Sequence, residues 1–209
     1  MSRLLLDEEW DAMFLELGEI VSSFPEKRRE AVRKMMDGPV GESFLTAPAS
    51  SHLDYHACFP GGLLYHSLNV SRNVRKLAAV LFPGRWPDEK LAFVGLFHDL
   101  GKTGDGKNEH YIPNTSEWHR KRGKLYEINP LCAYMPTSER GLYLFQTYGV
   151  NLDNEEYLAI RLNDGQYVDE NTPYASKEPD LALLVHHADH WSARQEKAER
   201  EPKPAGVST

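Results

Sequence analysis

Leu91-Ala92-Phe93-Val94-Gly95-Leu96-Phe97-His98-Asp99-Leu100-Gly101-Lys102 decides the reading of this 209-residue chain. Leu91, Val94, Leu96 and Phe97 carry a helix that Pro87-Asp88 opens, and it runs into His98-Asp99 with Gly101 as a stop. Taken alone, a histidine among apolar helix neighbours is more often a satisfied core residue than a ligand. An adjacent His-Asp pair followed by Gly-Lys shifts that balance, because two neighbouring ligands reach one ion most easily where a helix finishes. Upstream, Gly62 to Leu81 reads as a helix with Leu64, Leu68, Val74, Leu77, Ala78 and Leu81 on one broad face and His66 inside it. Downstream, a last helix opens near Pro179-Asp180, carries Asp189, and runs to about Glu199. Unpaired, each such polar group costs about 1–3 kcal/mol or more. Together they make a mixed nitrogen and oxygen set suited to Mn, Fe, Co, Ni, Zn or Mg.

Working outward, residues 4–20 and 25–36 read as helices, with Pro25 in the first turn of the second and Asp37-Gly38-Pro39 ending it. Residues 38–61, rich in Gly, Pro and Ser, read as irregular. Residues 103–116 read as a loop and 117–128 as a short helix bearing the basic run Arg120-Lys121-Arg122 and Lys124. Helices follow at 137–148 and 153–163, the second opened by Asp153 with Glu155 and Glu156 in its first turn. Gln166-Tyr167-Val168 is the one weak strand signal, too short to anchor a sheet. The expected class is all-α: a helical extension over residues 1–44 packed on a core domain over 45–199, then a disordered tail over 200–209.

Composition narrows the function. The chain carries 24 Lys+Arg against 31 Asp+Glu, a net charge of −7, so bulk DNA binding is not expected. No apolar run approaches the ~20 residues of a membrane span, and Asp7, Glu8, Glu9 and Asp11 stand where a signal peptide needs basic and apolar residues. Two cysteines, Cys58 and Cys132, make neither a disulfide framework nor a Cys-rich zinc site, which points to a reducing cytoplasm. Gly101-Lys102-Thr103 is not a P-loop: five residues separate Gly95 from Gly101, and the segment before it is helical. His186 and His190 share a helix face beside Asp189, but no H-E-x-x-H motif is present. In this reading Asp189 is the ligand, and one of His186, His187 and His190 supports it or faces substrate.

Pro60-Gly61-Gly62-Leu63-Leu64-Tyr65-His66-Ser67-Leu68-Asn69-Val70, followed by Leu96 to Lys102, resembles the H…HD…D signature of HD-domain metal-dependent phosphohydrolases. The approach to the first histidine is similar to the HD domains of certain bacterial exoribonucleases. Trp118 to Asn129, Tyr134 to Arg140 and Ala159 to Gly165 resemble blocks of small phage and bacterial HD hydrolases. The resemblance implies an HD helical bundle with the metal site between central helices, and His66, His98, Asp99 and Asp189 as ligands of one divalent ion. It implies a phosphate contact, or hydrogen bonding around the metal, for Lys102. Glu139 falls in a block where the related sequences also carry Glu.

Where such relatives carry further histidines, this chain has Thr137 and Asn163, which are weak transition-metal ligands, so a mononuclear site is expected. The implied activity is hydrolysis of a nucleotide, a dNTP or a nucleoside monophosphate, by attack of a metal-activated water on phosphorus. Asp99, Lys102 and Glu139 are the expected catalytic residues, and His56, Lys102, Arg120 and Lys124 the expected substrate contacts, with Glu139 and His56 as candidate bases. Residues 100–128, with six Lys+Arg against four acids, follow the HD motif directly, where an anionic phosphate needs them. The expected setting is the cytoplasm of a bacterium or of a phage-infected host, and homodimers are common among similar proteins. Two rivals stand beside this reading: a phosphodiesterase or nuclease acting on cyclic nucleotides or short oligonucleotides, and a degenerate HD module that binds a nucleotide without turnover.

Overall fold

Helix α4 (Gly62–Leu81) is the axis of the fold, and α5 (Asp88–Phe97) and α9 (Asp180–Arg200) pack along it. The structure is a computed structural model and describes residues 3–166 and 168–200. Before the axis come α1 (Asp7–Ser23), α2 (Glu26–Met36) and α3 (Pro39–Thr46); after it come α6 (Glu117–Lys121), α7 (Thr137–Tyr148) and α8 (Asn154–Arg161). Two three-residue strands, β1 (Tyr111–Pro113) and β2 (Tyr126–Ile128), pair antiparallel with Tyr111 opposite Ile128. The fold is all-α, as the apolar periodicity predicts. No helix among the described residues is long and apolar enough to cross a membrane.

The core is built around the helix that ends at His98. Phe93, Phe97 and Phe145 contact one another at centroid distances of 5.3 to 6.0 Å, Phe24 meets Phe93 at 5.5 Å, and Phe44 meets Phe97 at 5.6 Å. The N-terminal residues therefore belong to the same buried cluster as α4, α5 and α9. Gly95 fixes the spacing at the centre. A Cβ there would lie 2.6 Å from Ser71 Cα, so α5 approaches the α4 backbone more closely than any side chain permits. Ser71, buried at the same crossing, donates its hydroxyl to Ala92 O at 3.1 Å.

Four expectations change. Residues 38–61 contain a helix: Pro39 occupies the first turn of α3, and Val40 and Phe44, one turn apart, bury one face. The helix expected over 117–128 stops at Lys121. Gly123 takes φ +92°, and the chain returns as β2 against β1, inside the segment read as loop. Gly101 does not end the HD helix. The α-helix finishes at Phe97, and a 3₁₀ turn over Leu100–Thr103 continues the chain past it. What Gly101 provides is room, since a Cβ there would lie 1.9 Å from the Thr137 carbonyl oxygen at the start of α7. Gln166 and Val168 are in turn and bend geometry; Tyr167 and the tail 201–209 lie outside the described residues.

Gly95→Ala is expected to lower stability by about 2–3 kcal/mol, since backbone must move to admit the methyl group. Gly18→Ala, on the exposed face of α1 with nothing within 4 Å of the new Cβ, is expected to gain about 0.5–1 kcal/mol. Urea titration of both variants measures the contrast.

Candidate metal centre

His66 lies one turn into α4, His98 and Asp99 at the end of α5, and Asp189 midway along α9. These three helices cross at the centre, and the crossing brings the four side chains together. His66 Nε2 is 2.9 Å from Asp189 Oδ1 and 3.9 Å from Asp99 Oδ2. His98 Nε2 is 3.4 Å from Asp99 Oδ2 and 3.8 Å from Asp189 Oδ1. Both imidazoles are fully buried, and neither Nε2 makes a hydrogen bond of regular geometry, although carboxylate oxygens lie close. Two imidazole nitrogens and two carboxylates gathered this closely could hold a metal ion.

The opposite ring nitrogens fix that orientation. His98 Nδ1 donates to Gly95 O at 2.8 Å. His66 Nδ1 donates to Glu196, at 3.1 and 3.2 Å from its two oxygens. Each ring therefore presents Nε2 to the site, the role that outer hydrogen bonds play for metal-binding histidines. Glu196 is held in turn by Asn69 Nδ2 at 2.9 Å, and Asn69 Oδ1 accepts from Arg72 Nη1 at 2.8 Å. Glu196 was invisible as a site residue by motif, but it lies seven residues after Asp189 on α9. That two-turn spacing puts both on one face, a signal the sequence does carry.

Charge makes the case for a cation. Asp99, Asp189 and Glu196 face a single ammonium, that of Lys102, whose Nζ is 2.6 Å from Asp99 Oδ2. Three carboxylates against the Lys102 ammonium and a protonated His66 leave one net negative charge in a largely buried site, and uncompensated buried charge costs several kcal/mol per ion. A divalent ion that displaced the His66 proton would balance it. Burial opposes a proton on His66, but Glu196 and Asp189 outweigh it and lift its pKa to about 10. Burial likewise opposes charge on Asp99 and Lys102, and their mutual attraction wins, lowering the first and raising the second.

The remaining expected residues fall in different places. His56, on the loop before α4, stacks on His66 with ring centroids 4.3 Å apart, and its Nε2 is buried without a partner. Glu139 is exposed on α7, pairs with Arg161 at 3.5 Å, and lines a separate cleft with Leu142 and Tyr157. Arg120 is exposed on α6, and half-buried Lys124 forms a backbone bridge to His52. Neither lines the groove that opens at His56. That groove, about 430 Å³, is bordered by Tyr55, His190, Arg194 and Lys197. Of the basic run, Lys121 pairs with Glu117 and Arg122 stacks on Trp118, so it is a surface face.

Of the two positions where further histidines were expected, Asn163 is buried and donates Nδ2 to His98 O at 3.1 Å, while Thr137 packs its carbonyl against Gly101. His186 donates Nδ1 to Asn163 O at 2.8 Å, so it supports the strand of contacts behind His98. Asp164, next in sequence, was not foreseen. Desolvation and the charges of Asp99 and Asp189 push its pKa up, although its side chain is exposed.

The turn that carries Lys102 is anchored by buried Arg140, which donates to Gly101 O at 3.1 Å, His110 Nδ1 at 3.0 Å and Ala133 O at 2.8 Å. Burial, Arg140 and Lys102 lower the His110 pKa to about 4. An unfolded chain protonates this histidine near 6.5, so the folded state loses stability as pH falls from 6.5 towards 4, by about 2–3 kcal/mol at the limit. His110→Asn, which keeps an acceptor for Arg140 and removes the titration, is expected to flatten that part of the profile relative to wild type in thermal melts at pH 4.5 to 7.5.

Comparison of the chain with family models, with curated proteins and with solved structures finds no match.

Proposed function

We propose that the protein is an HD-type metal-dependent phosphohydrolase that hydrolyses a nucleotide phosphate, with one divalent ion held by His66, His98, Asp99 and Asp189. The observation that carries this reading is the convergence of two orphaned, fully buried imidazole nitrogens on two carboxylates, with a net negative charge that only a cation balances. Divalent metal bound there supplies Lewis-acid charge to a phosphoryl oxygen and lowers the pKa of its water. The absence of histidine at Thr137 and Asn163 favours a single ion.

The chain's own residues take the other roles. Lys102 is held by Asp99 beside the ligand set, and its ammonium neutralises a phosphate oxygen. Asp164 has no ion pair or hydrogen bond among the described residues, and we assign proton acceptance from the attacking water to it. Glu139, paired with Arg161 in another cleft, does not serve as the base in this reading. Arg194, Lys197 and His190 border the groove beside His56, whose volume of about 430 Å³ suits a mononucleotide. They, rather than Arg120 and Lys124, hold the anionic substrate.

Phosphate release from a panel of dNTPs, nucleoside monophosphates, cyclic dinucleotides and short RNA, with Mn, Co, Mg and Zn, tests the reading. The expected result is turnover of a mononucleotide that falls at least about 100-fold in Asp99→Ala and at least about 10-fold in Asp164→Asn. Arg194→Ala is expected to raise KM several-fold with kcat little changed. Turnover unaffected by Asp99→Ala overturns the site; turnover only of cyclic dinucleotides or RNA favours the phosphodiesterase rival.

A further inference from the structure

We infer that His56 is a fifth metal ligand, a third imidazole supplied by the loop before α4, and that it tunes the site toward a nitrogen-preferring transition ion over Mg. The inference rests on the metal-site reading above and goes beyond the four-residue set.

Three observations carry it. The first is geometric. One donor atom each from His56, His66 and Asp189 lies within 4.8 Å of the others, and the same holds for His66, His98 and Asp99. The two groups share His66, so His56 adjoins the ligand cluster on its Asp189 side. The second is the orphaned atom. His56 Nε2 is enclosed in protein beside the His66 ring and makes no hydrogen bond. A substrate-binding or solvated imidazole has no reason to bury an unpaired nitrogen, which costs about 1–3 kcal/mol.

The third is how firmly the loop is held. Ser50 Oγ donates to His56 O at 2.6 Å. Ala57, the next residue, takes φ +40°, a strained conformation for a residue with a Cβ, and strain of this kind gathers at functional sites. Its carbonyl accepts from Ala49 N and Phe59 N, both at 3.0 Å. Gly62, one turn before His66, makes room for that carbonyl: a Cβ there would lie 2.0 Å from Ala57 O. The glycine that opens α4 thus lets the loop close down until His56 meets His66. Sequence alone leaves His56 in a loop. The fold makes it a preorganised donor.

Chemistry sets the consequence. Three imidazoles and two carboxylates suit Mn, Fe, Co, Ni or Zn, whereas Mg prefers an oxygen set and retains its waters. Removing His56 therefore takes away preference for a nitrogen-seeking ion more than it takes away ion binding as such.

Co²⁺ and Mg²⁺ titrations of wild type and His56→Ala, by calorimetry and by visible absorption of bound Co²⁺, test the inference without using activity. The expected result is a Co²⁺ Kd weakened at least about tenfold, an altered Co²⁺ spectrum and an unchanged Mg²⁺ Kd. Proton NMR of the Co²⁺-loaded wild type is an independent count that needs no variant: three hyperfine-shifted exchangeable imidazole signals are expected. Two signals, or a folded His56→Ala with unchanged Co²⁺ affinity and spectrum, overturn the ligand role. If that same variant has a raised nucleotide KM, His56 belongs to substrate. Wild type that binds no Co²⁺ overturns the metal-site reading itself, which separates the two failures.

Discussion

Excess negative charge buried where α4, α5 and α9 cross is the constraint on which the rest of this structure depends. Apolar burial alone would not put Asp99, Asp189 and Glu196 at the closed end of such a crossing, because each carboxylate loses water there and gains little from the others. One ammonium, that of Lys102, offsets part of the imbalance. The His66 proton offsets more of it, and the unpaired Nε2 atoms of His66 and His98 lie where a cation could complete the balance. The ladder behind them, from Arg72 through Asn69 to Glu196 and His66, orients a ligand and anchors α4 to α9 at once. Stability and site chemistry are thus coupled: the helices meet closely because the site is shared between them.

Close backbone approach is the means by which the sequence achieves this crossing. Gly95 lets α5 lie against Ser71 of α4, Gly101 lets α7 start against the HD turn, and Gly62 admits the carbonyl of Ala57. Each of the three sits within one turn of a site residue or on the turn that carries one. Adding a methyl group at any of them would move a donor atom by a fraction of an ångström to an ångström or more, and metal sites tolerate only about 0.2 Å. The glycines near the motif therefore act on the spacing of the His/Asp cluster.

The helices and the His98-Asp99 pair were legible because their signals are local. Apolar spacing marks α4, α5 and α9 without reference to distant residues, and the adjacent His98-Asp99 stands out where an apolar run stops. What was not legible depends on pairing across the chain. The hairpin of Tyr111–Pro113 with Tyr126–Ile128 has strands of three residues each, too short to carry alternation, and it exists only through its partner strand. Helix α3 was hidden by the Gly and Pro around it. Glu139 matched a block by resemblance but is tied to Arg161, and the basic run at 120–124 is a surface face while the groove's cations, Arg194 and Lys197, come from the far end of the chain.

The acidic excess can now be divided between structure and site. Residues 151–180 hold eight acids against two bases, yet Asp153 and Glu155 pair with Lys90, Glu156 with Arg28, and Asp180 with Arg85. These charges tie α8 and α9 to the earlier helices and project little uncompensated field. The groove beside His56 instead has Arg194 and Lys197 without salt bridges among the described residues. An acidic protein can therefore still carry a groove whose lining holds two cations against one carboxylate, Asp54. Net charge argues against binding long DNA, but it does not argue against a small anion that meets only this one face.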